Sequence, residues 1–240
     1  MTAKLYVSKE TPAKKINPNL SIVTCVLNGE KVLEETIKNV LAQKYDNFEY
    51  IVVYTLSNDS TWQIIKKYSN KIDKIIINDA VGIYQAFNVG LKYASGNWIN
   101  YMNAGDYFKS KDTLDKIFHK KKHDCDILYS GCFVKYPNFK KYEAPFKLSQ
   151  IKRNMPFSHQ SSFVKLKIHK KNKFSVMYSL SGDYDLFSRL VKKKCTFKKI
   201  NPAISVSMAF GVADRRKVYT IYQNYLIAKK YWNINFKQKI

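Results

Sequence analysis

Acidic residues are scarce in this sequence. Against 42 Lys and Arg stand 18 Asp and Glu in 240 residues, a formal charge of +24. That shortage predicts an anionic partner: nucleic acid, an anionic membrane face or phosphorylated small molecules. Cysteine is equally sparse. Cys25, Cys125, Cys132 and Cys195 form no C-x-x-C pair, which excludes a disulfide scaffold and reads as reduced thiols of a cytosolic protein. A chain of this length buries roughly 70% of its unfolded surface and needs no staples. Long apolar runs are missing: none approaches the ~20 residues of a membrane span. The opening MTAKLYVSKETPAKK lacks the apolar stretch of a secretory signal. Glycine numbers eight, and neither G-x-G-x-x-G after the first strand nor G-x-x-x-x-G-K-[ST] occurs, which removes the usual dinucleotide and P-loop readings.

What is present is alternation. LSIVTCVL (20–27), FEYIVVY (48–54), KIII (74–77) and NWINYM (97–102) read as buried strands. Between them KVLEETIKNVLAQ (31–43), DSTWQIIKKYS (59–69) and IYQAFNVGLKYA (83–94) place apolar residues at helical spacing. This βαβαβαβ order calls for an α/β fold, a mostly parallel central sheet with helices on both faces. Ligands in such sheets bind beyond the carboxyl ends of the strands, and here all four ends turn polar: Asn28, Thr55, Asn78 and Asn103. The second half carries strand-like runs at 125–131, 161–166 and 203–208 and helices at 183–193 and 216–232. With no repeat and no Gly/Ser linker, one domain is expected.

Asp106, just past the fourth strand in NAGDYF, has two readings: a cap for the segment KSKDTLDKIF, or a ligand for a hard divalent cation holding a diphosphate. In GDYD (182–185), one of Asp183 and Asp185 would be a helix N-cap, the role expected of Asp185. His119 and His123, four apart, have zinc spacing, but their lysine-rich setting reads as a solvated helix end, as does the run around His169.

The stretch SIVTCVLNGEKVLEETIKNVLAQKYDNFEYIVV, then SNDST, GIYQAFNVGLKYASGNWINYMNAGD, HQSSF and SGDYDLFSRL, in that order, resembles the GT-A glycosyltransferases of the family 2 type, especially small bacterial enzymes of surface-polysaccharide synthesis. The resemblance implies a nucleoside-diphosphate sugar as donor and a polyprenyl-pyrophosphate-linked or saccharide acceptor. It assigns Asn28, Glu30, Tyr54, Asp59, Gly82, Asn88 and Asn103 to the donor pocket, Asp59 being equally able to cap its helix. It makes Asp106 the ligand of Mn²⁺ or Mg²⁺, His159 and Gln160 an acceptor-side pair, and Asp183 the catalytic base of an inverting displacement. Residues 1–19 are then an N-terminal extension, 20–118 the donor half, 119–213 the acceptor half and 214–240 a basic, aromatic C-terminal helix.

The chain departs from the family pattern at three places. Tyr54-Thr55-Leu56 stands where an Asp usually contacts the base, Ala80-Val81 where Asp-Lys is frequent, and Gln85 where an Asp is common. Tyr54 could stack on a base but cannot accept a hydrogen bond as a carboxylate does. Two other readings therefore stay open: a non-catalytic GT-A binding domain, and a basic nucleic-acid-binding protein, which no recognisable nucleic-acid motif supports. The helix at 216–232 interleaves Tyr and Trp with Lys and Arg, which suits peripheral contact with an anionic membrane or a core-packed helix with a basic outer face. Arg215 and Arg216 are candidates to reach the donor diphosphate.

Overall fold

The computed structural model describes residues 4–6, 17–79, 81–201, 203–209, 211 and 216–234; Ala80 and Arg215 lie outside them. A short strand β1 (Lys4–Tyr6) precedes the alternating unit β2 (Leu20–Val26), α1 (Leu33–Leu41), β3 (Phe48–Thr55), α2 (Thr61–Lys67), β4 (Lys74–Asn78), α3 (Ile83–Tyr93) and β5 (Trp98–Tyr101). β4, β3, β2 and β5 lie side by side and parallel, with Val23 level with Ile51 on one side and Tyr101 on the other. The expected α/β architecture is therefore present, and β1 extends it antiparallel to β4 within what the sequence marks only as an extension.

The remaining elements are β6 (Tyr107–Phe108), α4 (Thr113–Phe118), β7 (Ile127–Tyr129), β8 (Cys132–Lys135), β9 (Lys140–Glu143), β10 (Ser162–Lys165), α5 (Leu166–Lys171), α6 (Gly182–Lys192), β11 (Phe197–Lys199), β12 (Ser205–Met208) and α7 (Lys217–Trp232). Among the described residues an eight-stranded sheet runs β1-β4-β3-β2-β5-β10-β7-β11, and a four-stranded one β6-β12-β8-β9. β10 is antiparallel to both β5 and β7. β6, β8, β9 and β11 have no counterpart in the sequence reading, because two to four residues are too few to show a period of two.

Side chains of β2 alternate between the two faces. Val23 and Cys25 face a cluster with Phe87 and Leu91 of α3 and Leu186, Phe187 and Leu190 of α6. Leu20, Ile22 and Val26 face Leu33, Ile37 and Val40 of α1, Ile65 of α2, and Leu114 and Phe118 of α4. The cysteines are free thiols, three of them buried. One expectation fails here. His169 is fully buried, against Tyr101 and Phe174. In α5 Leu166 and His169, three apart on one face, are buried, while the lysines around them stay outside.

Candidate active site

The four parallel strands end on one rim, and the loops beyond them are tied to each other. After β2, Asn28 adopts a left-handed φ of 50°. Its backbone N–H donates to Ser57 Oγ and its Oδ1 accepts from the Asn58 N–H. Glu30 Oε2 accepts from the Ser60 N–H, and the Glu30 N–H donates to Asp59 Oδ2. Asp59 Oδ1 accepts from the Thr61 N–H at the start of α2, so this carboxylate both caps locally and joins the two loops. Burial would raise its pKa, but the bonds from Thr61 and Glu30 outweigh that and hold it below the usual range. Gly82 precedes α3 at φ 107°, a conformation that a side chain there would strain.

Two expected donor residues sit differently. Tyr54 is buried, its ring tilted against Trp62 at 5.2 Å and its hydroxyl accepting from the Ser57 N–H. No ring face is left for a base. Asn88 clasps the backbone of Phe174, donating to its carbonyl at 2.9 Å and accepting from its N–H at 3.0 Å. Both amide groups are thus committed to holding the loop before α6.

Beyond β5 the chain turns tightly, with the Asp106 N–H on the Asn103 carbonyl at 2.9 Å. Thr36 of α1 donates to the Asp106 carbonyl and accepts from the Gly105 N–H. Asp106 is 7% exposed. Its Oδ2 accepts from Gln160 Nε2 at 2.7 Å and its Oδ1 from the Met208 N–H at 3.2 Å. Burial pushes it up to about 6, against the pull of Gln160, His159 and the Met208 N–H. The capping alternative does not hold, since Asp112 occupies the N-cap of α4.

Asp183 lies in the first turn of α6. Its Oδ1 accepts from the Tyr84 hydroxyl at 3.0 Å, and its Oδ2 lies 3.2 Å from His159 Nδ1. His159 Nε2 is in turn 3.3 Å from Asn103 Nδ2. One tautomer satisfies the chain: Asn103 donates to Nε2, and the ring donates its Nδ1 proton to Asp183. Burial raises the Asp183 pKa, but the hydrogen bonds from His159, the Tyr184 N–H and the Tyr84 hydroxyl outweigh it, so the net shift is downward. A Cβ on Gly182 would come within 2.8 Å of the Tyr84 ring, so only glycine lets that ring lie under the helix start. Asp185 is not the cap expected of it. It is buried, with Oδ2 on Arg189 Nε at 2.8 Å and Oδ1 accepting from the Tyr231 hydroxyl at 2.8 Å.

The short 3-10 turn His159–Ser161 therefore joins the two carboxylates, His159 to Asp183 and Gln160 to Asp106. Tyr84 and Thr36 were not singled out by sequence reasoning. Tyr84 stands 99 residues from Asp183, and no local spacing announces the contact.

His119 pairs with Asp115, while His123 bonds the Ile117 carbonyl. Among the described residues no group of three His, Cys, Asp or Glu could by itself hold a metal ion. A hard cation shared with substrate needs only one or two protein carboxylates, the rest of its shell being phosphate oxygens and water. Each Asp106 oxygen accepts one N–H and retains a second lone pair. The residues present thus fit a cation that arrives with a diphosphate.

A mostly parallel sheet with carboxylates and amides gathered at its strand ends defines a GT-A type α/β fold. The family model described as Glycosyl transferase family 2 matches residues 21–191, and the chain belongs to that family, whose members are transferases. A PGL/p-HBAD biosynthesis glycosyltransferase of Mycobacterium bovis is 25% identical over 174 residues, 70% of this chain and 68% of that protein. A UDP-Glc:alpha-D-GlcNAc-diphosphoundecaprenol beta-1,3-glucosyltransferase of Escherichia coli is 28% identical over 116 residues, 48% of this chain and 46% of that one. Among solved structures, residues 1–349 of Staphylococcus aureus TarS with UDP superpose with a TM-score of 0.68 at 20% identity, covering 92% of this chain and 68% of that one. The match to another TarS structure spans 43% of that chain. A mannosyltransferase of Pyrobaculum calidifontis, solved with GDP-Man and Mn²⁺, gives 0.69 at 14% identity, covering 90% of this chain and 65% of that one.

Proposed function

We propose that the chain moves a sugar from a nucleoside-diphosphate donor to a hydroxyl of a saccharide or polyprenyl-pyrophosphate-linked acceptor in bacterial surface-polysaccharide synthesis, inverting the anomeric centre. The observation that carries this reading is the single turn bridging Asp106 and Asp183, which puts a cation-type carboxylate and a base-type carboxylate in one hydrogen-bonded unit at the strand ends. The relatives support the substrate classes: one is named for a diphosphoundecaprenol-linked acceptor and a UDP-sugar, and TarS was solved with UDP-GlcNAc.

In this reading residues 20–118 hold the donor and 119–213 the acceptor. Asn28, Glu30, Asp59, Gly82 and Asn103 line the donor side; Tyr54 and Asn88 support it from within the core. Asn103 Oδ1 is buried without a partner among the described residues, an acceptor that a ligand hydroxyl would satisfy. Asp106 would hold Mn²⁺ or Mg²⁺, which would supply charge neutralisation for the departing diphosphate. Asp183 takes the proton of the attacking hydroxyl. Its depressed pKa keeps it ionised at neutral pH, and Tyr84 and His159 hold its two oxygens in place. A positioned base of this kind contributes ~10²–10⁴-fold. One displacement needs no carboxylate nucleophile, so the product is inverted.

α7 is divided. Gln223, Ile227 and Ala228 are buried, while Val218, Tyr219, Ile221 and Tyr222 are exposed beside Arg216 and Lys217. That exposed half suits an anionic bilayer carrying the lipid-linked acceptor. Among the described residues no helix is long and apolar enough to cross a membrane.

The test is titration with UDP- and GDP-sugars in Mn²⁺, followed by transfer assays. Binding of a nucleotide sugar, together with loss of turnover but retained donor binding in Asp183→Asn, supports the reading. Failure to bind any nucleoside diphosphate returns the chain to the non-catalytic alternative.

A further inference from the structure

A second concavity lies at the opposite end of the same strands. It has a volume of about 610 Å³ and is lined by Asn19, Gly96, Asn97, Trp98, Leu166, His123 and five lysines: Lys121, Lys122, Lys165, Lys167 and Lys170. Trp98 begins β5, Asn19 precedes β2 and Lys165 ends the antiparallel β10. The six residue-to-residue steps from Asn97 to Asn103 separate it from the candidate active site by about 20 Å, at roughly 3.3 Å per strand residue.

No acidic side chain lines this cleft. Asp126 lies 3.9 Å from Lys165 Nζ, and Glu49, at the same end of the sheet, is paired with Lys74. The walls are held by the protein itself. Lys121 and Lys170 donate to the carbonyls of Lys116 and Ala94 at 2.6 and 2.8 Å, and Lys165 stands over the Trp98 ring at 5.9 Å. Lys122 and Lys167 are exposed and have no hydrogen bond or ion pair among the described residues. Five lysines gathered at one hollow that no acid lines make its potential positive, and Lys122 and Lys167 are the two left free to turn toward an anion there. A compact cluster of phosphate groups is the anion that matches several ammonium point charges at once.

We propose that this cleft binds a discrete ligand bearing clustered phosphates, such as an oligophosphate or a nucleoside polyphosphate. Its concavity favours a soluble molecule over a flat bilayer. It lies at the far end of the sheet from the rim where a lipid-linked acceptor would be met, so the inference stands apart from the proposed transferase chemistry.

The probe is inorganic tripolyphosphate, titrated calorimetrically into the full chain in EDTA at about 50 and 200 mM salt. Wild type should bind, more weakly at the higher salt. Lys122→Gln/Lys167→Gln should bind about tenfold more weakly or worse. Lys141→Gln/Lys152→Gln, which removes two exposed lysines elsewhere, should bind as wild type does. Absence of binding, or equal weakening in both double variants, overturns the proposal. Sedimentation with phosphatidylglycerol vesicles separates the sources: binding to vesicles that depends on Lys122 and Lys167, without tripolyphosphate binding, also overturns it.

Discussion

At the residue scale, the site turns on how few groups position two carboxylates. Asp106→Asn leaves one oxygen to accept from Gln160 or Met208 and turns an N–H toward the other donor. Donor-dependent turnover should fall below detection, with a stability loss of about 1–3 kcal/mol by urea unfolding. In Asp183→Asn the Tyr84 hydroxyl can accept from the new amide N–H while His159 donates to the remaining oxygen, so the geometry is kept but the proton acceptor is lost, and kcat should drop ~10²-fold or more with the donor KM unchanged. His169 tests burial rather than catalysis. Its Nδ1 meets the Asn172 carbonyl at 3.1 Å, and burial pushes the imidazole down to about 4. The unfolded chain takes up this proton near pH 6.5, while the folded chain resists it until about 4. The stability contribution is therefore complete above about 6.5 and lost as pH falls toward 4, about 3 kcal/mol in all. His169→Phe should flatten that part of the stability–pH curve measured by urea midpoint.

At the scale of elements, α6 presents Asp183 with its start seated on Tyr84 and its middle pinned to α7. Gly182→Ala forces the Tyr84 ring aside from a 2.8 Å approach, at a cost of about 1–3 kcal/mol. Turnover should fall as well, which a transfer assay beside thermal unfolding would show. Tyr231→Phe deprives buried Asp185 of one of its two partners. A loss of about 1–3 kcal/mol in unfolding free energy is expected, without change in donor KM. Val218, Tyr219, Ile221 and Tyr222 are the apolar part of α7 that its packing leaves outside. Tyr219→Ser/Tyr222→Ser should therefore reduce sedimentation with anionic vesicles while leaving transfer to a soluble saccharide acceptor intact.

At the scale of the whole molecule, charge is the dominant property. An excess of +24 repels itself in the compact state, and salt screens that repulsion. The thermal midpoint should rise as NaCl increases from about 20 to 200 mM, the reverse of what exposed ion pairs alone would give; scanning fluorimetry reads it directly. The two ends of the sheet differ in charge: a carboxylate-bearing rim lies at the strand carboxyl ends and a lysine-lined hollow at the other.

The alternating first half was legible because its strands and helices each run long enough to show a period: Leu33, Ile37 and Val40 on α1 and the unbroken apolar β2 state their burial without help. Asp106, Asp183, His159 and Gln160 could be named from short motifs in order along the chain. Their pairing could not, since the contacts join residues 24 to 99 positions apart. Nor could the inward turn of His169, the packing of Tyr54 on Trp62, or the clasp of Asn88 on Phe174, where a polar or aromatic side chain takes its role from whatever lies opposite. Local periodicity determines which face of an element is buried. Only the closed fold decides which side chains meet there, because that depends on distances between segments that the order of residues does not encode locally.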